Sequence, residues 1–378
     1  MDFMSLLKMM LQRKASDLFI TAGVPPSMKT DGKIAPVSRN CLNAEQAQEI
    51  IYQIMSPAQR QDYEDSGEVN FAIETDEAGR FRVNVHRHQG QCGMVLRRIE
   101  TEIPQLDSLA LPDSVRELAM IRQGLVLVIG GTGVGKSTTL AAMVNHRNEF
   151  SNGHIICIED PIEFIHKPRG CIITQREIGV DTVSYEAALS NALRQAPSLI
   201  VIGEIRSAET MRQALQFAET GHLCISTLHA ANATQALERI VSMYPDEAHK
   251  QITMDLSLNL KAVIGQKLVP NKDDQAQQAI CEVMLNTPLV SKHIKTGAFE
   301  QVRDVIRRSQ HLSMQTFDQS LMEKYQQEQV SYETVLEYAD APSDLKIKIR
   351  MAENPPTGEL SEHDGNSSIL EDENQDYN

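Results

Sequence analysis

The amino-acid sequence predicts an α/β protein with two folded parts, in which a smaller α+β domain precedes a mostly parallel sheet. From residue 125 onward, apolar runs of strand length alternate with stretches of helical periodicity, which is typical of a parallel sheet with helices on both faces. Between residues 69 and 96, apolar residues recur with a period of two, which indicates a half-buried antiparallel sheet. A chain of 378 residues is long enough to form both cores.

The boundaries of these parts follow from changes in composition. We expect an N-terminal domain over residues 1–105, a linker and connecting helix over 106–123, a second domain over 124–349 and an acidic tail over 350–378. Residues 351–378 contain eight Asp or Glu and no Lys or Arg. This tail cannot bury enough apolar surface to order itself, so we expect it to be disordered.

Local signals place the first elements of the N-terminal domain. Residues 1–13 have the pattern of an amphipathic helix, residues 16–20 that of a strand, and Asp31-Gly32 that of a hairpin turn between short strands. Asn43, with Gln46 three residues later, predicts the start of another helix. One apolar stripe of that helix is expected in the core, namely Ala47, Ile50, Ile51, Ile54 and Met55.

The predicted antiparallel sheet, in which apolar residues recur with a period of two, has one apolar face and one basic face. Its apolar face contains Val69, Phe71, Ile73, Phe81, Val83, Val85, Met94 and Leu96, with a turn at residues 76–79. To the opposite face we assign Arg80, Arg82, Arg87, Arg97 and Arg98. From these residues alone, a solvated strand face is favoured over a ligand-binding surface.

The second part of the chain begins after a segment rich in proline. Residues 100–111 predict a linker, and a helix from Asp113 is expected to end near Gly124, a residue suited to the position after a helix. Strands are predicted over 125–129, 154–159, 199–203 and 222–228, and helices over 136–147, 184–195, 207–219 and 232–243. One more strand at 277–285 precedes helices near 298–308, 316–327 and 331–338.

The net charge of −15 argues against non-specific binding to nucleic acid or acidic lipid, which requires clustered Lys and Arg. Six cysteines show no paired spacing typical of zinc sites, so we expect buried thiols in a reducing compartment. No apolar run approaches the roughly 18 residues that a membrane span needs, and the N-terminus lacks the pattern of a signal peptide. We therefore expect a cytoplasmic protein that contacts a membrane only through partners.

A glycine-rich stretch between a predicted strand and a predicted helix has the pattern of a phosphate-binding loop. The stretch consists of Gly130, Gly131, Thr132, Gly133, Val134, Gly135, Lys136, Ser137 and Thr138. Backbone N–H groups of such a loop and the positive end of the next helix bind phosphates, and the lysine reaches the β- and γ-phosphates of a nucleotide. The hydroxyl of Ser137 is suited to hold Mg²⁺.

Three further stretches supply polar side chains at the ends of predicted strands. Glu159, Asp160 and Glu163 follow one strand and Glu204 ends another, where ligands bind in doubly wound sheets. An ordinary turn with solvated acids is about as plausible for the first group. His222 and His229 flank a third strand, and a single histidine there is more often structural than catalytic.

Four ordered motifs give the chain a resemblance to a known family. Residues 130–138 match a Walker A motif, 158–163 an Asp box, 202–206 a Walker B motif and 221–229 a His box. On these motifs the chain resembles the secretion ATPases of type II secretion and type IV pili, over about residues 4–349. Within them it is most similar to the twitching-motility, pilus-retraction branch, the PilT/PilU type, and to PilU-type members in particular.

The resemblance implies a PAS-like N-terminal domain, a RecA-like ATPase domain, a homo-hexameric ring, and ATP with Mg²⁺ held between domains. It implies that Glu204 is the catalytic base, that Glu159 and Glu163 lie near metal and water with Ser137 on the metal, and that His229 senses the γ-phosphate. Arg80, Arg82 and Arg97 fall in the strands where the family keeps arginines that reach the nucleotide. This resemblance reverses the preference for a solvated face.

The resemblance also predicts the biological role and its alternative. It implies retraction of type IV pili at an inner-membrane platform protein, together with a PilT-type retraction ATPase. The chain lacks the four-cysteine metal element of pilus-assembly relatives, which favours retraction over extension. It has Pro197-Ser198 where relatives often have Pro-Asp, and this difference leaves open a nucleotide-binding adaptor in which hydrolysis is incidental.

Overall fold

The computed structural model describes residues 3–30, 32–75, 79–99, 102–274 and 276–353. Its N-terminal part contains a six-stranded antiparallel sheet with strand order β3-β2-β1-β6-β5-β4 and three helices. The elements are α1 (Phe3–Gln12), β1 (Asp17–Thr21), β2 (Ser27–Thr30), β3 (Lys33–Pro36), α2 (Ala44–Tyr52), α3 (Pro57–Ser66), β4 (Glu68–Thr75), β5 (Gly79–His88) and β6 (Gln91–Arg98).

The helices of this part begin where the local chemistry predicts. Asn43 caps α2 in a capping box with Gln46, and Ala47, Ile50 and Ile51 of α2 pack in the N-terminal core. Ile54 and Met55, predicted on the same stripe, also pack against this core, but they follow the end of the helix at Tyr52. Helix α3 was missed in the sequence, although Ser56 and Gln59 form a second capping box and Pro57 occupies its first turn. The predicted turns at Asp31 and at residues 76–78 lie outside the described residues.

The remaining described residues form a seven-stranded sheet covered by helices. Its elements begin with α4 (Asp113–Met120), β7 (Gly124–Ile129), α5 (Lys136–Phe150), β8 (Gly153–Glu159), β9 (Cys171–Glu177), α6 (Tyr185–Ala192), β10 (Leu199–Glu204), α7 (Ala208–Glu219) and β11 (Leu223–Leu228). They continue with α8 (Ala233–Ser242), α9 (His249–Asn259), β12 (Leu260–Pro270), β13 (Gln277–Leu285), α10 (Pro288–Thr296), α11 (Phe299–Arg308), α12 (Phe317–Gln326), α13 (Tyr332–Tyr338) and α14 (Pro342–Glu353).

The strand order β13-β12-β7-β11-β10-β8-β9 is parallel throughout, except that β13 runs antiparallel to β12. Both faces of this sheet are buried. Leu125, Leu127 and Ile129 of β7 pack in the core on one face, and Val126 and Val128 pack in the core on the other. Continuous apolar strands are expected in such a sheet, and the predicted α/β class with a mostly parallel sheet is confirmed.

Several predictions about individual elements were wrong or incomplete. The connecting helix ends at Met120, and Gly124 opens β7 with φ of +118°, where an added Cβ would lie 2.2 Å from Cγ of Lys261. Strands β9 and β12 and helices α9, α10 and α14 were not predicted. Helix α14 continues to Glu353, beyond the predicted start of the tail at residue 350.

Strand register also corrects the assignment of the arginine face. Successive strand residues point to opposite faces, so the neighbours Arg97 and Arg98 cannot share one. Arg98 is the register partner of Phe81, and Arg87 that of Cys92, on the face that holds the N-terminal core. Arg82 is the partner of Arg97 on the other face, which therefore contains three of the five arginines.

Within the described ranges, no helix is both long enough and apolar enough to cross a membrane. Of the predicted disordered tail over residues 350–378, residues 350–353 belong to the last turn of α14, and residues 354–378 lie outside the described residues.

Candidate nucleotide-binding site

The glycine-rich loop joins β7 to α5 at the carboxyl edge of the parallel sheet. Gly130 has φ of +153°, and an added Cβ would lie 2.6 Å from the carbonyl oxygen of Gln266 in β12. Gly135 caps α5 in the left-handed region with φ of +90°. Only glycine adopts these conformations without strain, so the loop can turn sharply and direct its N–H groups and the start of α5 toward one point.

Lys136 is buried at the start of α5, and its ammonium lies inside the loop. Its Nζ donates to the carbonyl oxygens of Gly130, at 3.1 Å, and Gly131, at 2.5 Å. Burial lowers the pKa of Lys136, while the carboxylates of Glu204 and Glu163 raise it. An ammonium has three N–H donors, so two loop carbonyls leave one for a phosphate oxygen.

The helix behind the loop is fixed by a buried hydrogen bond. Thr139 Oγ1 donates to Oε1 of Gln266 at 2.8 Å, and both side chains are buried. Gln266 belongs to β12, which pairs with β7 in parallel. The loop is thereby held from the neighbouring strand, a role for Gln266 that its sequence context did not reveal.

The acidic stretch after β8 forms one wall of the site. Burial is the main cause that raises the pKa of Glu159 to about 7, and the nearby carboxylates of Glu163 and Glu177 raise it further. Gln175 donates from Nε2 to Oε1 of Glu159 at 3.2 Å. Glu163, in contrast, is exposed on the loop that follows.

Glu204 stands at the tip of β10, where the strand has an irregular register. Ile202 pairs with Ser226 and Glu204 with Thr227, so Gly203 is the extra residue between them. Bulges of this kind redirect side chains next to active sites. A Cβ added at Gly203 would lie 3.1 Å from the Tyr185 hydroxyl oxygen and 3.2 Å from Cα of Glu159, so the space beside Gly203 is tight.

Both carboxylate oxygens of Glu204 have partners. His229 Nε2 lies 3.0 Å from Oε1, and Arg206 Nε donates to Oε2 at 2.8 Å. Arg206 Nη1 is also 3.7 Å from Oδ2 of Asp160, which links the acidic stretch to the tip of β10. The hydrogen bond to Glu204 is the first cause that raises the pKa of Arg206.

Nine of the predicted site residues line one cavity of about 270 Å³. Those that line it are Arg82, Thr132, Gly133, Lys136, Ser137, Glu159, Glu163, Glu204 and His229. The lining also includes His166, Tyr185 and Arg206, which were not predicted as site residues, and Asp160, which belongs to the acidic stretch but was assigned no role. Arg206 lies inside the quoted motif at 202–206, whereas Tyr185 carries no signal because a tyrosine that begins an amphipathic helix is normally a core residue.

The three candidate arginines have different surroundings. Arg82 lines the cavity. Arg80 reaches Glu177 of β9 instead, with Nη2 at 3.4 Å from Oε2. Arg97 pairs with the buried Asp17 of β1, at 2.8 Å, within the N-terminal part. His222 lies just before β11, whereas His229 follows its last residue, so His222 is at the opposite edge of the sheet.

The residues of the cavity fit a nucleotide with Mg²⁺. The loop and Lys136 provide donors for phosphates, and Ser137 with Glu159 and Glu163 provides oxygen ligands. Within the described ranges, no group of three His, Cys, Asp or Glu side chains is placed to hold a metal alone.

Comparisons with known proteins identify the family. The model of the type II/IV secretion system protein family matches residues 2–351. The chain is 51% identical to the type IV pilus ATPase PilU of Pseudomonas aeruginosa over 361 residues, 96% of this chain and 94% of that protein. It is 37% identical to the type IV pilus retractation ATPase PilT of the same organism, over 91% of this chain and 100% of that protein.

Solved structures agree with this assignment. A crystal structure of the pilus retraction motor PilT with bound ADP superposes with a TM-score of 0.85 at 36% identity, over 92% of this chain and 99% of that one. The Legionella pneumophila ATPase DotB superposes with a TM-score of 0.74 at 27% identity, over 88% and 94% of the two chains. The chain therefore belongs to the type II/IV secretion system protein family, as an ATPase of the PilT/PilU type.

Proposed function

We propose that this chain is a motor ATPase that couples ATP hydrolysis to the retraction of type IV pili. The observation that carries the proposal is the cavity in which Lys136, Glu204 and His229 of one sheet face Arg82 of the other. The names of the relatives PilU and PilT, to which the chain is 51% and 37% identical over the aligned residues, support the pilus as the structure on which the motor acts.

The phosphates of ATP bind to the loop at residues 130–138, with Lys136 at the β- and γ-phosphates. We assign Ser137, Glu159 and Glu163 to Mg²⁺, either directly or through its waters. Bound Mg²⁺ would neutralise charge on the phosphate oxygens. Glu163 is exposed and lines the cavity, whereas burial raises the pKa of Glu159 to about 7, which makes Glu159 a weaker ligand at neutral pH.

Glu204 is the proposed base that orients and deprotonates the attacking water. The contact of its Oε1 with His229 Nε2, at 3.0 Å, fixes the direction of the carboxylate. His229 is then placed to respond when the γ-phosphate is present or lost. Negative charge that develops on the transferring phosphoryl group is stabilised by Lys136 and Arg82.

Movement follows if the closed arrangement of the two sheets binds ATP better than the open one, since a ligand shifts an equilibrium only by its differential affinity. Arg82 belongs to the N-terminal sheet and the phosphate loop to the other, so a bound phosphate draws the two sheets together.

We further propose a PAS-like N-terminal domain over residues 1–105 and a RecA-like domain over 124–349. Arg97, which pairs with Asp17 in the same chain, would join a site only after it leaves that carboxylate.

The assembly that we propose is a homo-hexameric ring. It would be located in the cytoplasm at an inner-membrane platform protein and would act with a PilT-type retraction ATPase. In such a ring, Arg82 of the N-terminal sheet and the phosphates held by the other sheet would meet at every nucleotide, so the two sheets could move relative to each other at each site.

Steady-state ATP hydrolysis by the wild-type protein and by Glu204→Ala tests the enzymatic step. We expect clear turnover in the wild type and a decrease of at least about 100-fold in the variant, in the range that general bases contribute. Glu238→Ala, which changes an exposed glutamate of α8, is the matched control and should retain wild-type turnover. Equal, near-zero rates in the wild type and in Glu204→Ala would favour the nucleotide-binding adaptor.

Retraction of fluorescently labelled pili tests the biological step. Cells that carry Glu204→Ala in place of the wild-type gene are compared in the presence and absence of a PilT-type ATPase. We expect fewer or weaker retractions in the variant. Unchanged retraction in both backgrounds would contradict a role in this movement.

A further inference from the structure

A buried ion pair connects the N-terminal sheet to the edge of the other sheet. Arg80 Nη2 of β5 lies 3.4 Å from Oε2 of Glu177, the last residue of β9. The exposed fractions of the two side chains are only 19% and 7%. Ion pairs that are removed from water are screened less than surface pairs, so this contact can transmit the position of one sheet to the other.

The same carboxylate oxygen holds the loop that carries Glu163. Glu177 Oε2 accepts a hydrogen bond from the backbone N–H of Ile162 at 3.3 Å. The loop follows β8, and Glu163 lines the nucleotide cavity. Arg80, Glu177 and the start of this loop therefore form one continuous set of contacts.

Gln175 holds the rest of the loop from the same face of β9. Its Nε2 donates to the carbonyl oxygen of Phe164 at 2.8 Å, and its Oε1 accepts from the N–H of His166 at 2.8 Å. Residues two apart in a strand share a face. Two side chains of β9 thus bind three backbone groups of residues 160–166.

The backbone of Glu177 is itself fixed. Its N–H donates to Oδ2 of Asp181 at 2.9 Å, and its carbonyl oxygen accepts from the N–H groups of Asp181 and Thr182 at 2.9 and 3.3 Å. Glu177 is also the register partner of Glu159 across β8 and β9. Because these contacts hold the backbone of Glu177, we expect a displacement of Arg80 to act on the ion pair and on the loop more than on β9.

We propose that Glu177 is a positioning residue through which Arg80 of the N-terminal sheet holds Glu163 in place for hydrolysis. When Arg80 is paired with Glu177, the guanidinium balances the charge of the carboxylate and directs its oxygen at the N–H of Ile162. When the N-terminal sheet moves away, the buried carboxylate loses its cation and the loop loses a fixed acceptor. This inference rests on the proposed function and gives Arg80 a task different from that of Arg82, which lines the cavity itself.

A double-mutant cycle on turnover tests the proposal, with Arg80→Ala, Glu177→Gln and the double variant. Glutamine keeps the size of Glu177 and an acceptor for Ile162, but it removes the charge that Arg80 binds. We expect each single variant to lower kcat about tenfold and the double variant to be no slower than the slower single variant, as for residues that act as a unit. The Kd for a fluorescent ATP analogue should change less than about threefold, because the loop at residues 130–138 is untouched.

Two further variants make the result specific. Arg80→Lys keeps the charge and should recover part of the lost turnover. Arg87→Ala removes another arginine of β5, whose Nη2 donates to the carbonyl oxygen of Glu64 and whose guanidinium lies over the Tyr63 ring, within the N-terminal part. This control should retain wild-type kcat.

The outcomes separate this inference from the proposed function. If the wild type turns over and Glu204→Ala does not, but the losses from Arg80→Ala and Glu177→Gln multiply, the positioning role is wrong and the proposed function stands. Wild-type kcat in Glu177→Gln would overturn the inference in the same way. A wild-type protein without turnover would overturn both.

Discussion

His229 Nε2 lies 3.0 Å from Oε1 of Glu204, at the adjoining tips of two parallel strands, β11 and β10. The other carboxylate oxygen accepts from Arg206 at 2.8 Å. The exposed fraction of the Glu204 side chain is 17%, so the pair with His229 is partly shielded from water. These contacts orient a carboxylate toward the cavity that also contains Lys136.

The contact with Glu204 predicts the effect of His229→Ala. Without the imidazole, the carboxylate loses a partner that fixes its direction, so we expect kcat to decrease by about 10- to 100-fold. The Kd for ATP should change less, because the phosphate loop stays intact. Steady-state kinetics and nucleotide titration measure the two quantities.

His222→Ala is the matched control for the prediction about His229. His222 stands just before β11, at the opposite edge of the sheet from His229, and it is outside the cavity lining. Its removal should leave kcat near the wild-type value. Equal losses in the two variants would indicate a general effect on β11.

Lys136→Ala should abolish tight ATP binding. The ammonium is the buried cation of the phosphate loop, and its loss removes charge-assisted hydrogen bonds to the phosphates. We expect Kd for ATP to rise at least about 100-fold, which corresponds to about 2.7 kcal/mol. The increase in thermal midpoint that ATP causes in the wild type should disappear. Retained tight binding would place the phosphates elsewhere.

Arg82→Ala should lower kcat more than it weakens assembly. Arg82 reaches the cavity from β5, so its loss removes positive charge at the transferring phosphoryl group. We expect a decrease in kcat of at least about tenfold. Light scattering measures the molar mass at the same protein concentration. Loss of the oligomer, with an unchanged rate for each assembled site, would make Arg82 a structural residue.

The buried carboxyl group of Glu282 in β13, which contacts the start of α8, predicts a pH dependence of stability. Burial raises the pKa of Glu282 from its ordinary value of 4.5 to about 7, although its Oε2 accepts from the N–H of Ala233 at 2.5 Å. The folded protein therefore binds this proton more tightly than the unfolded chain does. The contribution to stability is fully present below pH 4.5 and is lost as the pH rises through about 7.

Glu282→Gln should remove this loss, because glutamine keeps the acceptor oxygen and carries no charge. Relative to wild type, the variant should gain stability on the order of 3 kcal/mol at pH 8, since one pKa unit corresponds to about 1.4 kcal/mol. The gain should shrink toward pH 5. Thermal midpoints of both proteins across this pH range measure it. Glu238→Gln, at an exposed position of helix α8, should not reproduce the trend.

Most elements that the sequence predicted correctly have a signal within a few residues. The capping box of Asn43, the glycines before Lys136 and the apolar run of β7 each depend on neighbours in the chain. Strand β9 was missed because only its two ends are buried, which hides the apolar pattern of a strand. Helix α14 was missed because it covers the core mainly with Leu345 and Ile349.

By itself, the sequence determined the α/β class, the phosphate loop and the family motifs, because the residues that define them are adjacent in the chain. Only the tertiary structure decided which distant side chains meet. It placed Arg82 at the cavity, paired Arg97 with Asp17, and joined Arg80 to Glu177, although all three arginines lie on one face of the N-terminal sheet. The physical reason is that strand order and register bring together residues far apart in the chain, and no local window contains both partners of such a contact.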